Sequence, residues 1–244
     1  MRIAIFGANG PTGQVLTTQA LADGHQVTAV TRHPGDISPR GGLRVAEADA
    51  TDAGGVSAAV AGSDAVVSVL GVPYSRGPVS LYSAGTGNII TAMRDHGVRR
   101  LVVAGTAAAD PGYRASDSLF FSRVMEPLFM RRPGRTLNDD NRRMEAAVQA
   151  SGLDWTIVRA CWLFNSAGIS DYLVCEGSPH GMFTARADFA ACLLAQLASD
   201  RSARATIGVL TTVGTPSIPA QIWREVITSG RKARGRRATG RSMG

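Results

Sequence analysis

Glycine stands at positions 7, 10 and 13, directly after the apolar run Ile3-Ala4-Ile5-Phe6 and just before an apolar-periodic run over residues 15–22. An uninterrupted apolar run suits a parallel strand covered on both faces, and the longer period after it suits a helix, so the glycines sit at a strand-to-helix turn. Gly7 lets the chain turn sharply, Gly10 has no Cβ to hold a pyrophosphate away, and Gly13 lets the helix lie close on the sheet. The helix N-terminus adds unpaired N–H donors and a partial positive charge. With a second strand over residues 26–31, the chemistry implied is the binding of a dinucleotide.

The tip of that second strand bears on which dinucleotide is held. An NAD site places a carboxylate about twenty residues beyond the glycines, on the ribose 2′-hydroxyl. Here residues 26–31 run into Arg32 and His33, and the next acid is Asp36. A guanidinium at this tip offers paired donors to a 2′-phosphate, so NADP(H) is expected over NAD(H); the alternative is an ordinary solvated arginine. After a third strand at 43–46, Asp49 can accept from an adenine amino group, while Asp52 can cap the short helix at 56–61. A fourth strand, 65–70, ends at Gly71, where the chain passes close to the dinucleotide, and Tyr74 beyond it is either a pocket-lining residue or a plain loop aromatic. Trp162 and Phe164, in the bulky exit of the strand at 154–159, are expected to line the substrate side.

Those residues need a scaffold, and the chain is long enough to supply one. With 244 residues, 44% of them apolar, it can bury a full core and fits one α/β domain, a doubly wound parallel sheet of Rossmann type with helices on both faces. Helices are expected at 81–96, 138–151 and 188–197, the last opened by Asp188, and further strands at 101–104 and 205–211. Residues 110–137 break the pattern with Pro111, Pro127 and Pro133, as a lid, a dimer contact or an ordinary core-facing helix would. Neither a signal peptide nor a membrane span is apparent, so a cytoplasmic protein is expected. Cys161, Cys175 and Cys192 are odd in number and lack metal-ligand spacing, and the histidines are scattered, so no metal site is expected.

The formal net charge of +7 suggests nucleic acid until the charges are placed. Arg231, Lys232, Arg234, Arg236, Arg237 and Arg241 supply nearly all of it, leaving residues 1–213 as a nearly neutral domain and 214–244 as an extension with a basic tail expected to be disordered. Without aromatic interleaving or a recognition motif, that tail does not make nucleic acid the expected partner. A small-molecule substrate is, in a monomer or homodimer.

Gly7-Ala8-Asn9-Gly10-Pro11-Thr12-Gly13, Asp49-Ala50-Thr51-Asp52, Arg142-Arg143-Met144-Glu145 and Ser151-Gly152-Leu153-Asp154-Trp155-Thr156-Ile157-Val158-Arg159 together resemble the atypical short-chain dehydrogenase/reductases, in particular the NmrA-like NAD(P)H-binding branch that includes flavin and biliverdin-IXβ reductase. The resemblance covers about residues 1–213. It implies that Gly7, Asn9, Gly10, Pro11, Thr12 and Gly13 hold the pyrophosphate, Arg32 the 2′-phosphate, and Asp49 with Ala50 the adenine. Leu70, Gly71 and Thr106 would flank the nicotinamide ribose and ring.

The departures from that family are chemical. Its ordinary relatives activate a tyrosine through a lysine four residues on, but the only lysine here is Lys232, and Tyr74, Tyr82, Tyr113 and Tyr172 are followed at that spacing by Pro78, Thr86, Asp117 and Glu176. Ala107 stands where a serine is usual, on the substrate side, and Ala160 where a proline is. No catalytic residue is identified. The function expected is an NADPH-dependent reductase of a planar, electron-poor molecule such as a flavin, quinone or polyketide-like aromatic; the alternatives are a non-catalytic NADP-sensing regulator and a recruited isomerase, cyclase or dehydratase.

Overall fold

The computed structural model describes residues 1–72, 77–115, 135–199 and 203–216. Tyr74, most of the 110–137 segment and the basic tail lie outside the described residues. Met1–Val213 form one compact unit, and Gly214–Gly244 fall outside it.

The elements run β1 (Arg2–Phe6), α1 (Pro11–Ala22), β2 (Gln26–Thr31), β3 (Leu43–Glu47), α2 (Ala53–Val60), β4 (Ala65–Ser68), α3 (Leu81–Asp95), β5 (Arg100–Thr106), α4 (Arg135–Gln149), β6 (Asp154–Ala160), β7 (Trp162–Phe164), β8 (Tyr172–Glu176), β9 (Phe183–Ala185), α5 (Arg186–Leu197) and β10 (Ala205–Thr211). Eight strands form one sheet in the order β3-β2-β1-β4-β5-β6-β10-β8, parallel up to β10, with β8 antiparallel at the edge. β7 and β9 make a separate parallel pair. This is the expected Rossmann-like α/β architecture. The strand order reverses beside β1, so the carboxyl ends of β1 and β4 open a crevice of the kind in which such sheets hold ligands.

Alternation along β1 shows why the sheet needs cover on both sides. Ile3 and Ile5 enter one core with Leu16 and Ala20 of α1 and Phe189 and Leu193 of α5. Ala4 and Phe6 enter the other, with Val56 of α2, Ile89 and Met93 of α3, and Met144 and Val148 of α4. Each large side chain fully buried in these layers contributes about 1.5–3 kcal/mol. α3 buries Ile89, Ile90 and Met93, and α4 buries Met144 and Val148, each set at helical spacing.

Several expectations need correction. β4 stops at Ser68 and not at residue 70, because the turn at Gly7 presses against its exit: a Cβ on Gly7 would lie 2.5 Å from Val69 O. α1 begins at Pro11 and α4 at Arg135, both earlier than the apolar period alone indicates. α5 begins at Arg186, two residues before the expected start, with Asp188 in its first turn as an acid there should be. Asp188 is also fully buried, and its carboxylate accepts from Ser170 N–H at 2.6 Å, Ser170 Oγ at 2.9 Å and Thr211 Oγ1 at 2.5 Å, pinning the loop before β8 to the end of β10. The sequence pattern gives no sign of β7, β8 and β9: β7 and β9 span only three residues each, and β8 lacks the alternation of a half-buried strand.

Candidate functional site

The turn after β1 has the geometry that its glycines imply. Gly7 adopts φ +80°, which side chains disfavour, and a Cβ on Gly13 would meet Gly7 O at 2.2 Å and Ala8 Cα at 2.7 Å. Helix and turn are therefore in backbone contact. Gly10 differs: a Cβ there would meet only Gly7 O, at 3.3 Å, and otherwise points into free space. No side chain caps α1, and Pro11 at its start has no N–H to satisfy. The N–H groups of Thr12 and Gly13 are thus left for a ligand beside a Cα without a side chain, an arrangement that fits a pyrophosphate. Asn9 turns outward, and its Nδ2 donates to Asp36 Oδ2 at 2.9 Å, tying the turn to the β2–β3 connection.

Around this turn the other expected contacts come from the tips of β2, β3 and β4. Arg32, its side chain 65% exposed, lies 3.7 Å from Asp49 Oδ2, a loose pair that an incoming phosphate could displace. Asp49 accepts from Thr51 N–H at 2.8 Å and Thr51 Oγ1 at 2.7 Å. Those bonds, led by the backbone one and helped by Arg32, hold its carboxyl below the usual carboxylate range. Asp52 takes the capping role, accepting from Gly54 and Gly55 N–H at 3.2 and 3.1 Å. Ala50 and Leu70 converge on α3, where a Cβ on Gly85 would meet each at 3.0 Å, and Ala50 O accepts from Asn88 Nδ2 at 2.9 Å. Gly71 is exposed beside them. Asp140 sets this wall from behind: fully buried on α4, it accepts from Tyr82 N–H at 2.9 Å, and the Tyr82 hydroxyl lies 3.3 Å from Val72 N. From sequence, Asp139 and Asp140 are either an acid/base pair or dipole-favoured surface charges at a helix start; in the structure Asp140 is a buried carboxylate that accepts from N–H groups in the first turn of α3.

On the substrate side, Thr106 ends β5 and its Oγ1 accepts from Ala108 N–H at 3.3 Å. Ala107 has no exposed surface, and Phe164 is buried edge-on against Phe183, their ring centroids 6.3 Å apart. Neither therefore offers surface to a ligand, whereas Trp162 is half-buried and does. Candidate acid groups nearby are already engaged. The Tyr113 hydroxyl donates to Gly181 O at 2.6 Å, and burial pushes the Cys161 thiol up to about 11. Among the described residues no group of three or more His, Cys, Asp or Glu could hold a metal ion, and no helix is long and apolar enough to cross a membrane.

Sequence reasoning did not find the charge cluster under this edge. Arg159, near the end of β6, makes a two-pronged pair with Glu145 of α4, Nε to Oε1 at 3.1 Å and Nη2 to Oε2 at 2.6 Å. Its Nη1 reaches Asp110 Oδ2 at 2.9 Å and Ser178 Oγ at 3.1 Å. Asp110, where the irregular segment 110–137 starts, is thereby anchored to the sheet. A guanidinium closing an otherwise buried strand is the signal that could have pointed to a buried partner.

Comparison with known proteins agrees with the Rossmann-like fold. The sequence pattern of an NAD(P)H-binding family matches residues 7–200. An uncharacterized protein of Mycobacterium tuberculosis is 36% identical over 164 residues, which is 67% of this chain but only 15% of that relative. The uncharacterized protein YwnB of Bacillus subtilis is 25% identical over 169 residues, 69% of this chain and 75% of YwnB. Among solved structures, a short-chain dehydrogenase/reductase of Veillonella parvula in complex with NADP superposes with TM-score 0.71 at 20% identity, covering 89% of this chain and 99% of that one. The oxidoreductase ylbE of Lactococcus lactis gives TM-score 0.71 at 16% identity, over 87% and 91% of the two chains. At these identities the structural likeness is one of fold.

Proposed function

The chain belongs to this NAD(P)H-binding family, and from that membership we propose that it is a cytoplasmic NADPH-dependent reductase of a planar, electron-poor small molecule: a flavin, a quinone or a polyketide-like aromatic. The observation that carries the reading is the open space over Gly10 at the start of α1, with Arg32 following the end of β2, the strand that pairs with β1. In this reading Gly7, Asn9, Gly10, Pro11, Thr12 and Gly13 seat the pyrophosphate, Arg32 the 2′-phosphate, and Asp49 with Ala50 the adenine. Leu70, Gly71 and Thr106 border the nicotinamide, and Trp162 borders the acceptor. NADPH would supply a hydride; the protein positions it and excludes water. A planar conjugated acceptor suits an edge whose tyrosine and thiol are occupied, because the anion formed on reduction is delocalised and water can protonate it.

Purified protein mixed with NADPH and a panel of flavins and quinones is expected to speed the loss of nicotinamide absorbance with at least one acceptor. No acceleration with any of them would overturn the reductase reading. Tight NADPH binding without turnover would instead favour a non-catalytic NADP-sensing regulator, a reading supported by the same engagement of Tyr113 and Cys161.

Coenzyme choice has its own test. A guanidinium–phosphate contact is worth about 1.5–3 kcal/mol, so Arg32→Ala is expected to weaken NADPH binding roughly 10- to 100-fold in titration calorimetry and to leave NADH binding nearly unchanged. Equal effects on both coenzymes would remove the preference for NADP(H).

A further inference from the structure

The large sheet ends at β8, which pairs with β10 on one side; on the other side no strand lies among the described residues. This edge carries apolar surface. Leu173 is 59% exposed and Val174 49%, with Ile169 and Val213 also exposed in the adjoining segments. Natural sheet edges are normally blunted by charged side chains, above all lysine, by proline or by a bulge, and Tyr172-Leu173-Val174-Cys175-Glu176 has only the single charge of Glu176 at its end.

The direction of the backbone groups follows from the bonds at either end. Gly177 N–H donates to Thr206 O at 2.9 Å and Thr212 N–H to Asp171 O at 3.0 Å. Residues that exchange bonds alternate along an antiparallel ladder, so Leu173 and Cys175 spend their N–H and C=O on β10. Tyr172, Val174 and Glu176 turn theirs to the free edge. A strand presenting groups at this spacing is complementary to itself.

We propose that β8 is the contact through which two copies of this chain associate, β8 against β8 antiparallel, about a two-fold axis at Val174. In that register Val174 faces Val174 of the second copy and Tyr172 faces Glu176, so every outward N–H and C=O finds a partner. The two Glu176 carboxylates are placed at opposite ends of the contact, each across from a neutral phenol. Leu173 meets Cys175 of the second copy in the closer, non-bonded pairs, which buries the exposed apolar side chains. A slip by one residue puts the bonding groups out of phase, and a slip by two leaves an end unpaired. The interface is isologous and closes at two copies, so the exposed edge is consumed without open-ended growth.

Sedimentation of the full chain across the micromolar range is expected to show a reversible dimer. Val174→Pro should abolish it and leave a folded monomer whose thermal midpoint no longer depends on protein concentration, because proline removes an N–H that points to the edge and none that bonds to β10. Val174→Lys, which keeps the backbone donor but adds like charges across the axis, should also give monomer. In a Cys175→Ser background, Val174→Cys should form a covalent dimer on mild oxidation, since facing residues of a bonded pair lie about 5.5 Å apart at Cα, within disulfide reach. A chain that is monomeric throughout, a dimer that survives both the proline and the lysine substitution, or a dimer that the Val174→Cys substitution fails to cross-link would overturn the proposal.

Discussion

Gly13→Ala is expected to abolish dinucleotide binding and to lower the thermal midpoint, whereas Gly10→Ala should abolish most of the binding and leave the midpoint where it is. The contrast comes from what each new methyl group meets. At Gly13 it would lie 2.2 Å from Gly7 O and 2.7 Å from Ala8 Cα, both backbone atoms of the turn, so α1 or the turn must move. Overpacking of this kind costs about 1–3 kcal/mol, or roughly 3–10 °C in a domain of this size. Displacing the turn also misaligns the N–H groups at the start of α1. At Gly10 the backbone sits at φ −69° and ψ 162°, which any residue adopts, and the methyl group would touch only Gly7 O at 3.3 Å. The free protein should therefore accept it, but a pyrophosphate lying against that Cα would not, and a tenfold or larger loss of NADPH affinity is expected, a difference of at least about 1.4 kcal/mol. Thermal melts and calorimetry on the two variants give the comparison directly. If Gly10→Ala binds NADPH as wild type does, the pyrophosphate does not lie there.

The features legible in the sequence are those whose signal is local. The strand-turn-helix around Gly7 to Gly13 is written in adjacent residues, as is the Asp52 cap, and the apolar runs that become β1, β4 and β5 show the buried parallel sheet. Arg32 and Asp49 are legible as individual residues; that they approach each other at 3.7 Å is not. What escapes depends on partners distant along the chain. Asp140 reads as a surface charge at a helix start until the N–H groups of Tyr82 and Ser83, in another helix, are brought to it. Asp188 depends in the same way on Ser170 and Thr211, and Arg159 on Asp110 and Glu145. Each is a polar group buried because the fold supplies its partner, and no period or propensity in the sequence encodes that pairing. The edge strand β8 escapes for a different reason. Its exposed residues are apolar on both faces, so the alternation that marks a half-buried strand is missing.

The largest loss of stability is expected from Arg159→Met. The side chain of Arg159 is 14% exposed and that of Glu145 6%, so the pair is largely withdrawn from water. Methionine of similar length fills the space but leaves Glu145 without its cation and Asp110 without one of its donors. Removing one member of a buried ion pair costs about 3–5 kcal/mol, here roughly 10 °C in thermal midpoint, because the remaining charge stays buried and uncompensated. The effect should also depend on pH, with a sign fixed by Asp110. Burial pushes its carboxyl upward, but Gly112 N–H, the Ser178 hydroxyl and the Arg159 guanidinium outweigh that and hold it below the usual carboxylate range. A carboxyl lowered on folding contributes stability that is present above its unfolded value, near pH 4, and is lost as pH falls through the folded value. In wild type this part of the stability thus persists to low pH. In Arg159→Met, without the guanidinium, it is lost at a higher pH, so the gap between the two proteins should be full near neutrality, narrow as pH falls through the variant's own folded value for Asp110, and close only below wild type's folded value, which lies under the usual carboxylate range. Denaturant melts carried from neutral pH down to about pH 2 measure that gap; a constant gap would mean that the guanidinium acts through packing alone. The double variant Arg159→Met with Glu145→Leu should recover much of the loss at neutral pH, since a buried pair replaced as a unit by apolar groups is often tolerated.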